Sequence, residues 1–198
     1  MPELPLADYR KSAHATWQDI AYEEVAGVGF LSFEFYNGAM STRQCQRLTA
    51  AFQWASSRPT RVIVLRGGRD FWSNGVHLNT IEAAESPSDE SWANINAIDD
   101  LAESILRCET QLTVAAVGGN TGAGGCFLAR AADQVWVRDG VMLNPHYKNM
   151  GNLFGSEFWT YLLPSRVGDA GAKAIMRHRL PMTTQEAVKL GFYDACLP

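Results

Sequence analysis

The sequence contains little that points to a membrane, a polyanion or a metal. It has no run near the roughly 18 consecutive apolar residues of a membrane-spanning helix. The 17 Lys and Arg residues against 21 Asp and Glu residues give a net charge of −4, so the basic surface that nucleic-acid binding requires is lacking. The four cysteines are widely spaced, without a C-x-x-C pair or a histidine at zinc-finger distance. We therefore expect a protein with no metal, no nucleic acid and no membrane as partner.

The length of 198 residues fits one globular unit with a substantial core. Residues 1–16 carry acidic side chains and no apolar run, so we expect neither a secretory signal nor a transit peptide there. We read them as a polar lead-in and residues 17–198 as a single domain. Unpaired cysteines and the lack of a leader predict a cytoplasmic location.

Strands alternate with helices along the domain, which predicts an α/β fold with parallel strand pairing. The first helix is expected from Ser41 or Thr42 to about Ala55, with a buried face of Cys45, Leu48, Ala51 and Phe52. Strands are expected at 25–33, 61–65, 112–117, 134–137 and 141–143, and further helices at 88–107, at 124–132 and from the capping box Thr183-x-x-Glu186 to Gly191.

Two of these strands end in glycine-rich loops, RGGRDFWSNGVH at 66–77 and GGNTGAGGC at 118–126. Glycines allow sharp turns and close backbone approach, and each one alone is more simply an ordinary turn or packing residue. If the N–H groups of Val76 and Gly124 converge, they can bind an oxygen that gains negative charge, aided by the helix dipole at Gly124. A thioester carbonyl suits such a site.

The two loops resemble those of the crotonase (enoyl-CoA hydratase/isomerase) superfamily, with matches at 71–77 and 118–126. The resemblance implies a crotonase-like ββα superhelix, oxyanion-hole amides at Val76 and Gly124, and coenzyme A as part of a thioester substrate or product. Phe127 and His146 stand where hydratases of the family carry their two catalytic carboxylates. Water addition to an enoyl-CoA by that pair is therefore not expected.

Longer motifs resemble the C-terminal crotonase-like domain of the HypX (HoxX) hydrogenase maturation factors. They are YNGAMS at 36–41, DFWSNG at 70–75, NPHYKNMG at 144–151 and GSEFWTYLLP at 155–164. In that family a formyl-tetrahydrofolate-handling region delivers a formyl group to CoA, and the crotonase-like part releases carbon monoxide for nickel-iron hydrogenase. The resemblance thus implies an acyl-CoA ligand, a formyl-tetrahydrofolate-handling domain or protein, and hydrogenase maturation machinery as partners.

The same resemblance implies two catalytic residues, Tyr147 and Glu157. A carboxylate can accept the formyl proton and a phenol can donate to the departing sulfur, so we assign Glu157 as base and Tyr147 as acid or orienting group, with the roles open to exchange. Without the resemblance, Glu157 reads as a helix-start carboxylate and Tyr147 as a packing aromatic. The remaining candidates for substrate binding are Gly75, His77, Gly125, His146 and Ser156, with Arg66 and Lys148 as candidates for the CoA phosphates.

Two other functions fit the same sequence. One is a crotonase-type lyase, hydrolase or decarboxylase that acts on another short acyl-CoA. The other is a non-catalytic CoA-binding scaffold for maturation. Crotonases usually continue into C-terminal helices beyond the point where this chain stops, so those helices are expected to be missing and the oligomeric state stays open.

Overall fold

The structure is a computed structural model that describes residues 18–147, 155–178 and 180–198. The lead-in expected at residues 1–16 lies outside these residues. The described strands are β1 Ile20–Val25, β2 Val28–Phe33, β3 Val62–Arg66, β4 Phe71–Ser73, β5 Leu112–Val117, β6 Asn120–Gly122, β7 Gln134–Arg138, β8 Met142–Asn144, β9 Met182–Thr183 and β10 Ala195–Leu197. The described α-helices are α1 Thr42–Ser56, α2 Leu78–Glu82, α3 Pro87–Leu106, α4 Gly124–Arg130, α5 Trp159–Arg177 and α6 Thr184–Lys189.

The strands form two sheets. The larger sheet has the order β1-β2-β3-β5-β7-β10, and all of its neighbours are parallel except the antiparallel pair β1-β2. The smaller sheet has the order β4-β6-β8-β9, with β9 antiparallel to β8. The prediction of an α/β fold with parallel pairing is confirmed.

A strand–strand–helix unit recurs along the chain. Strands β3, β5 and β7 lie side by side in the larger sheet, and each is followed by a short strand of the smaller sheet, β4, β6 or β8. Helices α2 and α3 follow the first pair and α4 follows the second. Because parallel neighbours place their carboxyl ends at one edge, the loops after β3 and β5 emerge next to each other.

The first helix forms as the sequence predicts. Ser41 caps it, and a capping box joins the Ser41 and Gln44 side chains to each other's backbone N–H groups. Its buried residues include the whole predicted face, Cys45, Leu48, Ala51 and Phe52. The helix packs on α3 and so covers the core on that side.

The prediction of one strand over 25–33 is wrong. Strands β1 and β2 form an antiparallel hairpin in which Val25 pairs with Val28. Ala26 and Gly27, at φ values of 52° and 79°, make the two-residue turn between them. Positive φ at both central positions is the geometry of the tight hairpin turns that match strand twist. Within the described residues, no helix has the length and apolarity needed to cross a lipid bilayer.

Candidate active site

The two glycine-rich loops meet as the sequence predicts. The Thr121 hydroxyl donates a 2.8 Å hydrogen bond to the Ser73 carbonyl, and the Trp72 indole donates a 3.2 Å hydrogen bond to the Gly125 carbonyl. Gly75 has a φ of 78°, and a side chain on it would place Cβ 3.3 Å from the Gly124 nitrogen. The backbone at Gly75 therefore lies directly against the first turn of α4.

The N–H groups of Val76 and Gly124 have no hydrogen-bond acceptor among the described residues. Met40 forms hydrogen bonds with the two residues that flank Val76. Its N–H donates to Gly75 O at 2.9 Å, and its carbonyl accepts the His77 N–H at 3.1 Å. Successive amides of an extended segment point to opposite sides, so the Val76 N–H faces away from Met40. Gly124 is the first residue of α4, where an N–H has no partner within the helix.

Tyr147 and Glu157 come together in the interior. Their exposed fractions are only 9% and 1%. The Tyr147 hydroxyl donates a 3.0 Å hydrogen bond to Oε2 of Glu157. A buried carboxyl group bonded to a buried phenol is a pair that can hold and transfer a proton.

The Glu157 carboxyl group lies against Gly124, one of the two residues with a free N–H. A Cβ at position 124 would overlap both carboxylate oxygens of Glu157. A Cβ at Gly155 would likewise overlap the Tyr147 ring. Only glycine at these two positions leaves space for the acid and the phenol. Glu157 and Tyr147 therefore lie close against the backbone at Gly124 and Gly155, with little free volume around them.

Burial governs the proton affinity of both groups. It raises the pKa of Glu157 to about 7, against the lowering effect of hydrogen bonds from the Ser156 and Tyr147 side chains. Burial, and then the nearby Glu157 charge, raise the pKa of the Tyr147 phenol well above its usual value. At neutral pH the carboxyl group is therefore close to half ionised, whereas the phenol keeps its proton.

Glu157 is not an exposed helix-start carboxylate, the simpler interpretation of its position in the sequence. It precedes Phe158, the N-cap residue of α5, and both residues adopt left-handed backbone with φ of 53° and 54°. This turn directs the Glu157 side chain inward, to Tyr147. Tyr147 does pack as an aromatic residue, yet its hydroxyl is buried and bonded rather than at the surface.

Phe127 occupies the position where the resemblance places a hydratase carboxylate. It is fully buried, and its ring stacks on Tyr147 with centroids 6.0 Å apart and planes at 18°. An apolar ring there supports the phenol by packing and offers no acid or base.

The other predicted binding residues have varied surroundings. His77 caps α2 because its Nδ1 accepts the Thr80 N–H at 3.3 Å, a structural contact that the sequence analysis did not anticipate. His146 is buried and its N–H donates to Asn144 O at 2.8 Å. A Cβ at Gly125 would overlap the Ser73 carbonyl oxygen. The Arg66 guanidinium pairs with Glu23 at 2.6 Å, and its contact with CoA phosphates stays a prediction. Lys148 lies outside the described residues.

A buried asparagine that was not predicted from the sequence holds the first loop. Asn94 of α3 accepts the His77 N–H at 3.2 Å through Oδ1 and donates to Met40 O at 2.9 Å through Nδ2. It is fully buried. The signal that could have found it is a lone amide on the apolar face of α3, one turn before Ile98.

A cavity of about 470 Å³ opens beside the first loop, away from the acid and the phenol. Its lining includes Tyr36, Asn37 and Phe71 together with the carboxylates of Asp19, Glu34 and Asp70. Three carboxylates make it a poor place for phosphate groups. The described residues contain no group of three or more His, Cys, Asp or Glu side chains close enough to share a metal ion.

The sequence matches the family model described as enoyl-CoA hydratase/isomerase over residues 23–198. The chain belongs to the enoyl-CoA hydratase/isomerase family. The crotonase fold expected from the glycine-rich loops is thereby confirmed. A crystal structure of an enoyl-CoA hydratase from Thermoplasma volcanium, another crotonase fold, superimposes with a TM-score of 0.79 at 22% identity, over 90% of this chain and 71% of that one.

Within this crotonase family, the chain is similar in sequence to two longer relatives. It is 57% identical to the hydrogenase maturation factor HoxX of Bradyrhizobium diazoefficiens, over 90% of this chain and 31% of the relative. It is 55% identical to HypX of Aquifex aeolicus, whose crystal structure in complex with tetrahydrofolic acid superimposes with a TM-score of 0.93 over 95% of this chain and 33% of that chain. The resemblance to the HypX and HoxX crotonase-like domain is confirmed. The chain spans about a third of the length of these relatives.

Proposed function

We propose that this crotonase domain is a CoA-thioester lyase that converts formyl-CoA into carbon monoxide and CoA. The observation that carries the proposal is the buried pair of Glu157 and Tyr147, joined by a 3.0 Å hydrogen bond and placed against Gly124. The pair supplies a base and an acid beside two free backbone N–H groups. These are the groups that this cleavage needs.

The bonds and charges balance without another reactant. Glu157 accepts the formyl hydrogen as a proton, the electrons of the broken C–H bond become the lone pair on the carbon of CO, and the C–S electrons leave with sulfur. Tyr147 donates a hydrogen bond or its proton to that sulfur, and the Glu157 proton can then restore the phenol. The products are CO and the CoA thiol, with the enzyme unchanged.

The pKa of about 7 supports Glu157 as the base. A general base works best when its pKa lies near the working pH, since it is then both available in ionised form and strong enough to take a proton. The raised pKa of Tyr147 supports the phenol as the donor, because it remains protonated. Exchange of these roles would require an ionised Tyr147 beside a protonated Glu157, which is disfavoured because the pKa of the phenol lies well above that of the carboxyl group.

We assign the N–H groups of Val76 and Gly124 to the carbonyl oxygen of the thioester. Binding there polarises the carbonyl group and so makes the formyl hydrogen easier to remove as a proton. The residues present fit an acyl thioester because both N–H groups lack an internal acceptor and lie on touching backbone segments. Gly75 and Gly125 belong to these touching segments, and His77 acts indirectly by capping α2. We keep His146 and Ser156, the sequence neighbours of Tyr147 and Glu157, as proposed substrate contacts.

The tight contacts favour a one-carbon acyl group over a longer one. The Glu157 carboxylate lies on the Gly124 Cα, and the Tyr147 ring lies on the Gly155 Cα. If the carbonyl carbon lies beside Gly124, we expect an acyl chain that extends past it to meet these side chains. Formyl adds only hydrogen at that point.

The similarity to HoxX and HypX extends the proposal to hydrogenase maturation. We propose that the carbon monoxide serves a nickel-iron hydrogenase, and that a formyl-tetrahydrofolate-handling domain or protein supplies the formyl group. The tetrahydrofolic acid in the HypX structure supports a folate-dependent formyl source for the relative.

The test is to mix the purified chain with formyl-CoA and to trap gas with reduced haem protein while free CoA is measured with a thiol reagent. We expect equal amounts of CO and CoA from the unmodified chain and a large, parallel decrease of both in Tyr147→Phe and Glu157→Gln. Tyr161→Phe and Glu109→Gln, which change exposed side chains, are the matched controls. CoA release without CO indicates a hydrolase instead, and background release of both indicates a non-catalytic scaffold.

A further inference from the structure

A second carboxylate contacts the turn that carries Glu157. Oδ1 of Asp99, on helix α3, accepts the backbone N–H of Glu157 at 2.5 Å. The Ser156 side chain hydrogen-bonds to the Asp99 carboxylate as well as to the Glu157 carboxylate. Asp99 is thus joined to the two residues that begin the turn, and the reaction proposed above does not use it.

The turn needs such a restraint. Gly155, Glu157 and Phe158 all have positive φ, at 81°, 53° and 54°. Residues other than glycine rarely adopt this backbone, and two in succession persist only where surrounding contacts impose them. The bond to Asp99 is one such contact, and it acts on the N–H of Glu157 itself.

Helix α3, which carries Asp99, is anchored in the core by its buried residues. Ala97, Ile98, Leu101 and Ala102 surround Asp99 in sequence and are buried in the core. Asn94, five residues before Asp99, holds the loop that contains Val76. One rigid helix therefore contacts both the loop with a free N–H and the turn with the candidate base.

Asp99 also acts on Glu157 through its charge. Its negative charge raises the pKa of the Glu157 carboxyl, in addition to burial. Among the described residues, Tyr147, Cys45 and Cys126 are further titratable groups that interact with Glu157, and burial raises the pKa of each of them. Asp99 is the acidic residue of this set that is bonded to the Glu157 backbone.

We propose that Asp99 is a positioning residue, which holds the Glu157 turn so that the carboxylate meets Gly124 and Tyr147, and which keeps that carboxylate basic. This role rests on the proposed function of Glu157 as the base. It predicts that Asp99 affects the rate and the titration of Glu157 and leaves CoA binding unchanged.

The experiment compares Asp99→Ala, Asp99→Asn and Asp100→Asn in the full 198-residue chain. Asp100 is the adjacent, exposed carboxylate on the same helix, so its substitution removes an equal charge without touching the turn. Carbon-13 NMR of glutamate-labelled protein follows the Glu157 carboxyl, identified by the signal missing in Glu157→Gln. Formyl-CoA turnover gives kcat and KM, and calorimetry gives the affinity for CoA.

In Asp99→Ala and Asp99→Asn the Glu157 carboxyl should titrate at lower pH than in the unmodified chain, because a negative charge is lost. In Asp99→Ala kcat should fall with KM unchanged, by up to about 100-fold, because a misplacement of a reactive group by about 1 Å can cost that much in rate. Asp99→Asn should recover most of kcat since its amide oxygen still accepts the N–H. Asp100→Asn should change neither quantity.

The proposal is overturned if Glu157 titrates alike in the unmodified chain and in the Asp99 variants, or if Asp100→Asn has the same effect as Asp99→Asn. Should Asp99→Ala not fold, the titration of Asp99→Asn decides. The titration needs no turnover. Absence of CO from the unmodified chain would therefore reject the proposed function while the contact between Asp99 and Glu157 is still measured.

Discussion

The Glu157 carboxyl group rests on the Cα of Gly124, although the two residues are 33 positions apart in the sequence. No side chain, however small, fits between them. Gly124 also begins helix α4 and has a free N–H, so the candidate base and a candidate oxyanion donor are in direct contact. This contact fixes where the reacting carbon must lie if both groups act on it.

Gly124→Ala should abolish most of the activity while the protein remains folded. The new methyl group would overlap the carboxylate and force it away from the thioester. Displacement by about 1 Å can cost on the order of 100-fold in rate. The measurement is kcat for CO release, with circular dichroism to verify folding.

Gly118→Ala is the matched control because it adds the same methyl group in the same loop, where nothing lies within 4 Å. Its activity should stay within about twofold of the unmodified chain, as expected for a substitution that enters open space. Equal losses in the two variants would contradict the proposed contact between Gly124 and Glu157.

Tyr147→Phe should shift the pH dependence of the remaining activity to higher pH. The rate of the unmodified chain should rise with pH through about 7, as Glu157 loses its proton. The hydrogen bond from Tyr147 lowers the pKa of Glu157, so its removal raises that pKa and the midpoint moves upward. The maximum rate should also fall, by about 100-fold if the phenol acts as general acid.

The measurement is a profile of kcat against pH for both proteins. Tyr161→Phe removes a hydroxyl from an exposed tyrosine of α5 and should leave the profile unchanged. A midpoint that stays in place in Tyr147→Phe would show that the phenol does not act on Glu157.

Glu157→Gln should stabilise the fold at high pH and not at low pH. The pKa of Glu157 is about 7 in the folded chain and 4.5 as its ordinary value, so the folded state holds the proton more tightly. Folding therefore loses stability as pH rises from 4.5 to 7 and the loss is complete above 7. A shift of this size corresponds to about 3 kcal/mol.

Urea unfolding at pH 5 and pH 9 measures this difference. The variant and the unmodified chain should be nearly equally stable at pH 5, and the variant should gain at pH 9. Glu109→Gln, at an exposed position, should show no such pH-dependent gain. A variant less stable than the unmodified chain at pH 9 would argue against a buried, costly carboxylate.

Local patterns in the sequence sufficed for much of the fold. The apolar face of α1, its Ser41 cap and the runs of β3 and β5 depend on neighbours within a few residues, and each was predicted close to its observed bounds. The hairpin of β1 and β2 was missed because Ala26 has a positive φ, a conformation that alanine rarely adopts and that its residue type therefore does not predict. A helix start near Glu157 was considered, but the course of helix α5 was not predicted, since the helix contains Pro164 and a break at Gly168.

The candidate site was predictable only in part. Glycine-rich loops after neighbouring parallel strands indicate that Val76 and Gly124 approach each other. Tyr147 and Glu157 came from the resemblance, and nothing in their spacing predicts a shared hydrogen bond. Asp99 lies 58 residues from Glu157 and its bond goes to the backbone, so no sequence pattern could reveal it.

A buried ion pair at the far end of α4 should be needed for stability. Arg130, the last residue of α4, is 5% exposed in its side chain and lies 2.6 Å from Asp194, which is 12% exposed. Its guanidinium also donates to the carbonyls of Ala132 and Asp133 at 2.7 and 3.0 Å. Asp194 in turn accepts the Val135 N–H at 2.7 Å, so the pair joins α4 and β7 to the chain before β10.

Arg130→Ala should lower the free energy of unfolding by about 3 kcal/mol at neutral pH, because it leaves a buried carboxylate with only Arg166 as its cationic partner among the described residues. Hydrogen bonding to Arg130 holds the pKa of Asp194 below its usual value despite partial burial. That contribution is present above the unfolded pKa and is lost as pH falls, so the effect of the substitution should shrink in acid.

Arg107→Ala breaks an exposed pair with Glu103 on α3 and should cost no more than about 0.5 kcal/mol. Urea denaturation of the three proteins at two pH values gives these differences, and equal losses in the two variants would mean that burial does not set the strength of the pair.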